Sequence, residues 1–156
     1  MKMNVCVVTG SRAEFGLLNP VMNEIQNSKK LKLSVVVAGT HFSRKFGNSI
    51  KEIKSNGFKI NEKIFSFKDG DQDHEIISSF SKTCDDFGKK FKKIRPNIII
   101  LLGDRYEILA ASIAAMISRI PIGHIHGGEI TQGAIDDSIR HSITKMSHLH
   151  FVAHKN

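Results

Sequence analysis

The stretch RPNIIILLGD, residues 95–104, decides the fold. Residues 98–102 are all isoleucine or leucine, so a strand formed here would be apolar on both of its faces. A strand of this kind is typical of a parallel sheet that helices cover on both sides. Gly103 ends the apolar run and Asp104 follows it. The stretch therefore predicts a central buried strand, with a polar residue at its carboxyl end.

Segments typical of strands and helices alternate along the rest of the chain. Apolar or alternating runs predict further strands at residues 3–10, 31–40, 58–65, 120–126 and 148–154. Apolar residues at helical spacing predict helices at residues 15–28, 41–57, 74–94, 105–119 and 135–147. We place Pro20 in the first turn of its helix and Asp73 at the cap of the third helix. The alternation predicts an α/β fold, a doubly wound parallel sheet with right-handed crossovers.

Length and composition indicate one ordinary globular domain. The chain has 156 residues, of which 40% are hydrophobic and 24% charged, and its formal net charge is +8. The lysine pairs are typical of solvated helix faces, and the absence of interleaved aromatic or arginine residues argues against nucleic acid as a partner. The positive charge suits a phosphorylated small molecule. Cys6 and Cys84 lack metal or redox spacing, which predicts reduced, packed thiols.

The first apolar run is too short for a signal peptide or a membrane span. We therefore expect a cytoplasmic protein that does not enter membranes.

Polar motifs follow several predicted strands, at the edge where open α/β sheets bind ligands. In TGSRAEFG, residues 9–16, a glycine turn leads into a helix start that could hold an anion, with Arg12 as a phosphate-binding fork. The same motif fits a plain turn with a solvent-facing Arg12. His41 follows the second strand and is typical of a surface or capping residue. Asp104 is either the cap of the next helix or a general base facing the cleft.

The stretch GHIHGGEITQGAIDDSIRH, residues 123–141, concentrates the candidate chemistry. His124 and His126 are two residues apart on a strand and share one face. No metal-binding spacing such as HExxH accompanies them, so a metal site is disfavoured, and structural or acid–base roles stay open. The glycine pair 127–128 predicts a backbone that approaches a ligand closely.

Five motifs follow one another along the sequence: TGSRAEFG, GTHFSRKFGNSI, LLGDRYE, HIHGGE and IDDSIRHSITKMSHLHF. Together they resemble the hydrolysing UDP-N-acetylglucosamine 2-epimerases of sialic-acid and legionaminic-acid-type pathways. The resemblance implies a glycosyltransferase-B-like fold of two Rossmann-like domains, with the active site between them. Residues 1–156 match only the N-terminal domain, and the C-terminal domain, which supplies most of the nucleotide pocket, is absent from this chain.

The resemblance also implies a reaction. UDP leaves by elimination across C1 and C2 of the sugar, and water adds to the intermediate, which releases N-acetylmannosamine or its diamino analogue. A nucleotide sugar is then the substrate, UDP-N-acetylglucosamine or a diacetamido analogue, with no cofactor and no metal. The full-length family enzymes are commonly homodimers.

The same resemblance assigns roles to individual residues. Asp104 and Asp136 are the acid–base carboxylates, and Arg12 steadies the departing diphosphate. Some close relatives carry a glutamate where this chain has His126, so we expect His126 to take over that acid–base role, with Glu129 as its rival. Ser11 and His41 are expected to touch the sugar. Arg140, in an expected pair with Asp137, orients the site.

Two other interpretations remain. The chain could be half of a nucleotide-sugar glycosyltransferase, in which GDRYE only positions a donor. It could also be a truncated half that folds without turning over, because catalysis needs both sides of a cleft.

Overall fold

A computed structural model describes residues 2–42, 49–65, 72–130 and 135–153. In these ranges the strands are β1 Met3–Thr9, β2 Leu31–Val37, β3 Ile60–Lys63, β4 Ile98–Leu102, β5 Ile122–Ile125 and β6 Leu149–Phe151. The α-helices are α1 Arg12–Asn27, α2 Ile50–Ser55, α3 Asp73–Ile94, α4 Tyr106–Ile117 and α5 Ile135–Met146. A short 3₁₀ helix at Gly39–Phe42 follows β2.

The six strands form one sheet in the order β3-β2-β1-β4-β5-β6, and every neighbouring pair is parallel. The chain starts at the centre, moves outward to β3, crosses over to β4 and then moves out to β6. This is the doubly wound α/β topology, so the predicted fold class is confirmed. The reversal between β1 and β4 creates the crevice in which such sheets bind ligands.

Alternate residues of the central strands build two separate cores. Val5 and Val7 of β1 pack with side chains of α1 and α2 on one face of the sheet. Cys6 and Val8 point the other way and pack with side chains of α3, α4 and α5. The apolar run of β4 serves both cores, with Ile99 and Leu101 on one side and Ile98, Ile100 and Leu102 on the other. This two-sided burial is why β4 has no polar face.

Two predicted helix starts are wrong in detail. Helix α1 begins at Arg12 because Ser11 caps it, and Pro20 therefore lies inside the helix and not in its first turn. Helix α3 has Gln72 at its cap, and Asp73 is its first helical residue. The α1 error comes from judging the helix start by the apolar pattern, which begins at Phe15, one turn after Arg12, whereas the start of α3 differs by one residue.

The helix predicted at residues 41–57 is also different in the structure. Gly39 has φ +60° and turns the chain after β2 into the 3₁₀ helix, and α2 covers only Ile50–Ser55. Residues 43–48 lie outside the described ranges. A left-handed glycine costs little strain and permits this abrupt turn, which the helical spacing of the apolar residues did not indicate.

Both cysteines are free, Cys6 buried and Cys84 half-buried. Burial raises the pKa of the Cys6 thiol to about 12, so it is protonated and packs as an apolar group. In the ranges the structure describes, no helix has the length and apolar character needed to cross a membrane.

Candidate functional site

The carboxyl ends of β1, β2, β4 and β5 meet at one edge of the parallel sheet. Ser11 and Arg12 follow β1, His41 follows β2, Asp104 follows β4 and His126 follows β5. Arg140 of α5 reaches the same region through its ion pair with Asp104, and Asp136 lies one turn earlier on that helix. Every candidate site residue therefore lies after a strand at this edge or on the helix beside it.

Four of the candidates form one continuous polar chain. Arg140 donates from Nε to Asp104 Oδ2 at 3.0 Å and also from Nη2 to the same oxygen. Its Nη1 donates to Glu129 Oε2 at 3.4 Å. Glu129 Oε1 in turn lies 2.6 Å from His126 Nδ1. One arginine thus ties the end of β4 to the loop after β5.

The side chains of this polar chain differ in their exposure to solvent. The side chains of Arg140 and Asp104 are 13% and 19% exposed, whereas those of His126 and Glu129 are each 41% exposed. Hydrogen bonding from His126 is the main cause that lowers the pKa of Glu129, which is therefore a carboxylate at neutral pH. A carboxylate at Nδ1 favours the proton on that nitrogen and leaves Nε2 free to accept another.

His126 occupies an unusual backbone position. Its φ is +59°, in the left-handed region that residues other than glycine seldom adopt. Its amide donates to the carbonyl of Phe151 in β6 at 3.0 Å, which ends β5 and turns the chain toward Glu129. Strained backbone is frequent where a side chain must be aimed at a ligand.

His124, inside β5, is a structural residue. It is fully buried, with Nε2 at 2.8 Å from the carbonyl of Gly103 and Nδ1 at 3.1 Å from Thr144 Oγ1. Because Nε2 faces a carbonyl, it carries the proton, and Nδ1 accepts from the Thr144 hydroxyl. Burial is the main cause that lowers the pKa of His124, so the ring is neutral.

Gly127 packs against that histidine. A Cβ atom there would lie 2.7 Å from His124 Nδ1 and 2.8 Å from Thr144 Oγ1. Internal packing thus accounts for Gly127, for which the sequence predicted a close approach to a ligand. Gly128 has φ +77°, and its amide donates to Thr144 Oγ1 at 3.2 Å.

The turn after β1 is occupied by the chain's own groups. Ser11 Oγ accepts from the amide of Glu14 at 3.3 Å, which caps α1. The amide of Gly10 donates to Glu14 Oε2 at 2.7 Å, so a carboxylate already fills this part of the expected anion site. Arg12 Nε pairs with Glu52 Oε2 at 2.8 Å, and its side chain is 71% exposed. Roles for Ser11 and Arg12 in substrate binding stay predictions.

His41 is fully buried, so its interpretation as a surface residue is wrong. Its Nε2 lies 2.9 Å from Thr9 Oγ1 and its Nδ1 lies 2.6 Å from Ser49 Oγ. Burial lowers the pKa of His41 to about 4, and the ring is neutral at physiological pH. This arrangement ties the end of β1 to the start of α2. Contact of His41 with a sugar stays a prediction.

Helix α5 carries two adjacent acids with different surroundings. Asp136 is half-buried in the first turn, and no ion pair joins it to another described side chain. Asp137 Oδ1 lies 3.5 Å from His141 Nε2. The expected pair between Asp137 and Arg140 is wrong, because Arg140 turns toward the sheet and binds Asp104 and Glu129.

Sequence reasoning missed two buried carboxylates, Glu14 and Glu107, whose side chains are 7% and 1% exposed. Both stand in the first turn of a helix, where acidic residues usually face solvent and complement the helix dipole. Their positions inside TGSRAEFG and LLGDRYE were the available signal. In the described ranges, no group of three or more histidine, cysteine or carboxylate side chains could hold a metal ion.

Comparisons with known proteins agree with this architecture. The family model described as UDP-N-acetylglucosamine 2-epimerase matches residues 23–156. The chain is 44% identical over 154 residues to a Campylobacter jejuni GDP/UDP-N,N'-diacetylbacillosamine 2-epimerase (hydrolyzing), covering 99% of this chain and 40% of that protein. It is 38% identical over 153 residues to the Legionella pneumophila UDP-N,N'-diacetylbacillosamine 2-epimerase (hydrolyzing), with coverage of 98% and 40%.

A solved structure shows the same fold. The crystal structure of UDP-GlcNAc 2-epimerase from Neisseria meningitidis, bound to UDP-GlcNAc, superposes with a TM-score of 0.81 at 23% identity. The match covers 96% of this chain and 40% of that one. The chain thus spans about 40% of the length of the curated relatives it matches, and its likeness is to their N-terminal half. From its sequence and its fold, the chain belongs to the UDP-N-acetylglucosamine 2-epimerase family.

Proposed function

We propose that residues 1–156 form the N-terminal domain of a hydrolysing nucleotide-sugar 2-epimerase. Its substrate is UDP-N-acetylglucosamine or a UDP-diacetamido sugar, and its products are UDP and the free 2-epimeric sugar. The observation that carries the proposal is the polar chain from Asp104 through Arg140 and Glu129 to His126 at the carboxyl edge of the sheet. The proposal further assigns the second side of the cleft to a C-terminal domain.

Epimerisation by elimination needs a base at C2 and a stabilised leaving group at C1. The carbon-bound proton at C2 is weakly acidic, so the base must be held in one position relative to the sugar. The ion pair with Arg140 fixes the Asp104 carboxylate in this way. When the C2–H bond breaks, its electron pair forms the C1–C2 double bond, and the C1–O bond to UDP breaks.

Return of a proton to C2 on the opposite face requires a second group. His126 suits this step because Glu129 holds its Nδ1, which leaves Nε2 available to exchange a proton. Water supplies the hydroxyl at C1 and completes hydrolysis to the free sugar. Asp136, in the first turn of α5, is the third proposed acid–base group, and no metal or redox cofactor enters the route.

Product identification tests the function. The intact polypeptide that contains this chain is incubated with UDP-N-acetylglucosamine or its diacetamido analogue, and the products are identified by NMR. We expect UDP together with a free sugar of inverted configuration at C2. Sugar transferred to an acceptor, with no free sugar, would support the glycosyltransferase interpretation instead. Residues 1–156 alone are expected to show little turnover, because one side of a cleft neither excludes water nor holds the diphosphate.

A further inference from the structure

Two side chains, His124 and Thr144, connect the turn after β4 with the turn after β5. The amide of Gly128 donates to Thr144 Oγ1 at 3.2 Å, and Thr144 Oγ1 lies 3.1 Å from His124 Nδ1. On the other side of the ring, His124 Nε2 lies 2.8 Å from the carbonyl oxygen of Gly103. We call this series of hydrogen bonds the His124–Thr144 bridge.

The bridge ends beside the candidate acid–base groups. Gly103 directly precedes Asp104, and Gly128 lies between His126 and Glu129. A shift of either turn would therefore move one candidate proton donor or acceptor relative to the others. Proton transfer at carbon depends steeply on such distances, and a displacement of about 1 Å can lower a rate by about 100-fold.

The protons of the bridge have one consistent arrangement. The carbonyl of Gly103 only accepts, so His124 Nε2 carries the ring proton and Nδ1 is an acceptor. The Thr144 hydroxyl then donates to Nδ1 and accepts from the amide of Gly128. Burial is the main cause that lowers the pKa of His124, so the ring stays neutral and keeps this arrangement.

The turn after β5 depends on outside contacts to keep its backbone conformation. His126 has φ +59° and Gly128 has φ +77°, and a non-glycine residue stays in the left-handed region only where the surrounding structure holds it. The amide of His126 donates to the carbonyl of Phe151 in β6 at 3.0 Å, which holds the start of the turn. The amide of Gly128 donates to Thr144, which holds its other end. Loss of the Thr144 hydroxyl would release the turn there.

Arg140 joins the same two turns in a different way. It binds the side chains of Asp104 and Glu129, and so it sets the directions in which these carboxylates point. The bridge instead bonds to the backbone carbonyl of Gly103 and the backbone amide of Gly128. It therefore sets where the two turns themselves lie, which the contacts of Arg140 do not determine.

From this geometry we infer that Thr144 and His124 are positioning residues for the proposed proton transfers. They hold the turn that carries His126 in a fixed place relative to the turn that carries Asp104. His124 is fully buried, so it acts through these turns and not on the sugar itself. The inference rests on the proposed function for the reaction that the two turns serve. Loss of the bridge should slow the chemical step and leave binding of the nucleotide sugar nearly unchanged.

Valine and serine in place of Thr144, in the intact polypeptide, test this role. Thr144→Val nearly keeps the volume and removes the hydroxyl, so kcat should fall about 10- to 100-fold while KM changes less than about threefold. Thr144→Ser keeps the hydroxyl and should recover most of kcat. Thr83→Val is the matched control, since the Thr83 hydroxyl donates to the carbonyl of Ser79 within α3, and its kcat should equal that of the unmodified polypeptide.

Circular dichroism checks that the three variants fold. Equal kcat values for Thr144→Val and Thr83→Val, equal losses in Thr144→Val and Thr144→Ser, or a loss confined to KM would overturn the inference. A polypeptide that releases no free sugar would refute the proposed function, whereas free sugar released at the full rate by Thr144→Val would refute the inference alone.

Nitrogen-15 NMR of the intact polypeptide gives a readout that does not depend on turnover. In the unmodified protein at neutral pH, we expect a neutral His124 ring with its proton on Nε2. Thr144→Val should move the amide signals of Gly128 and His126, whereas Thr83→Val should leave them in place. A proton on Nδ1 of His124 in the unmodified protein, or amide signals that do not move in Thr144→Val, would contradict the bridge.

Discussion

Arg140 is the residue on which the candidate site depends, because it binds two of the acid–base candidates at once. Its Nε and Nη2 bond to Asp104 and its Nη1 reaches Glu129, and the side chain is only 13% exposed. The planar guanidinium makes these contacts in fixed directions, which an ammonium group does not. The orientation of Asp104 relative to a bound sugar should therefore depend on this side chain.

Arg140→Lys should lower kcat by about 10- to 100-fold while the fold is retained, because the charge stays but the forked contact to Asp104 is lost. Steady-state kinetics of the intact polypeptide with UDP-N-acetylglucosamine, together with circular dichroism, would measure both properties. Lys145→Arg, an exposed exchange of the same two residue types on α5, is the matched control and should behave as the unmodified polypeptide. A kcat of Arg140→Lys equal to the control would refute the orienting role.

Glu129→Gln should separate the acid–base role expected of Glu129 from the sequence and the orienting role that its contact with His126 indicates. If Glu129 orients His126, loss of the carboxylate removes the partner of Nδ1, and activity should fall about 10-fold. If Glu129 is itself the acid–base group, the loss should be about 1,000-fold or more. The activities of Glu129→Gln and His126→Gln are compared under the same conditions. We expect the smaller loss of activity in Glu129→Gln, which would support the orienting role.

At the scale of elements, local sequence patterns predicted the strands and most helices because each is decided by neighbouring residues. The isoleucine-rich β4 is recognisable by itself, since both of its faces are buried. The 3₁₀ helix after β2 was missed because it depends on Gly39 and on burial of His41 against Ser49. Glu14 and Glu107 were missed for the same reason, because only the folded sheet brings the start of α1 close to the start of α4.

The turn after β5 offers a matched pair of glycine substitutions. Gly127→Ala should lower the free energy of unfolding by about 1–3 kcal/mol, because the added methyl group would press on His124 and Thr144. Gly88→Ala, in the middle of α3 with open space around it, should instead raise the free energy of unfolding by about 0.5–1 kcal/mol. Urea denaturation of both variants measures the difference, and equal effects would show that Gly127 is not a packing residue.

At the scale of the whole molecule, two buried groups make opposite contributions to stability as pH changes. The pKa of Glu14 is raised from 4.5 to about 7, so its stabilising contribution is complete below pH 4.5 and is lost as pH rises to about 7. The pKa of His41 is lowered from 6.5 to about 4, so its contribution is complete above pH 6.5 and is lost as pH falls to about 4. In the unmodified chain, the pH dependences that these two groups give to the free energy of unfolding largely offset each other.

In Glu14→Gln, the free energy of unfolding should show the pH dependence that His41 contributes. Glutamine keeps an acceptor for the Gly10 amide but cannot titrate, so the variant gains stability relative to the unmodified chain as pH rises from about 4.5 to about 7. The relative gain should be on the order of 3 kcal/mol, from a shift of this size. Urea denaturation across this pH range measures it, and a difference that does not change with pH would contradict a raised pKa at Glu14.

The two faces of the sheet are covered unequally by the described helices. Helices α3, α4 and α5 pack on one face, whereas α1 and α2 pack on the other, against side chains of β1, β2 and β4. Beside α1, an apolar cavity of about 370 Å³ lies over Ile98, Ile100, Ile125 and Phe151. The chain spans about 40% of the length of the curated relatives it matches, so the activity proposed here belongs to the whole polypeptide.

The central claim is that the edge bearing Asp104 and His126 exchanges the proton at C2 of a nucleotide sugar. NMR of the sugar released in D₂O by the intact polypeptide tests it most directly. The account predicts a free sugar of inverted configuration with deuterium at C2, and little or no such product from Asp104→Asn, which should fold normally. A released sugar that keeps its original hydrogen at C2, or full activity of Asp104→Asn, would contradict it.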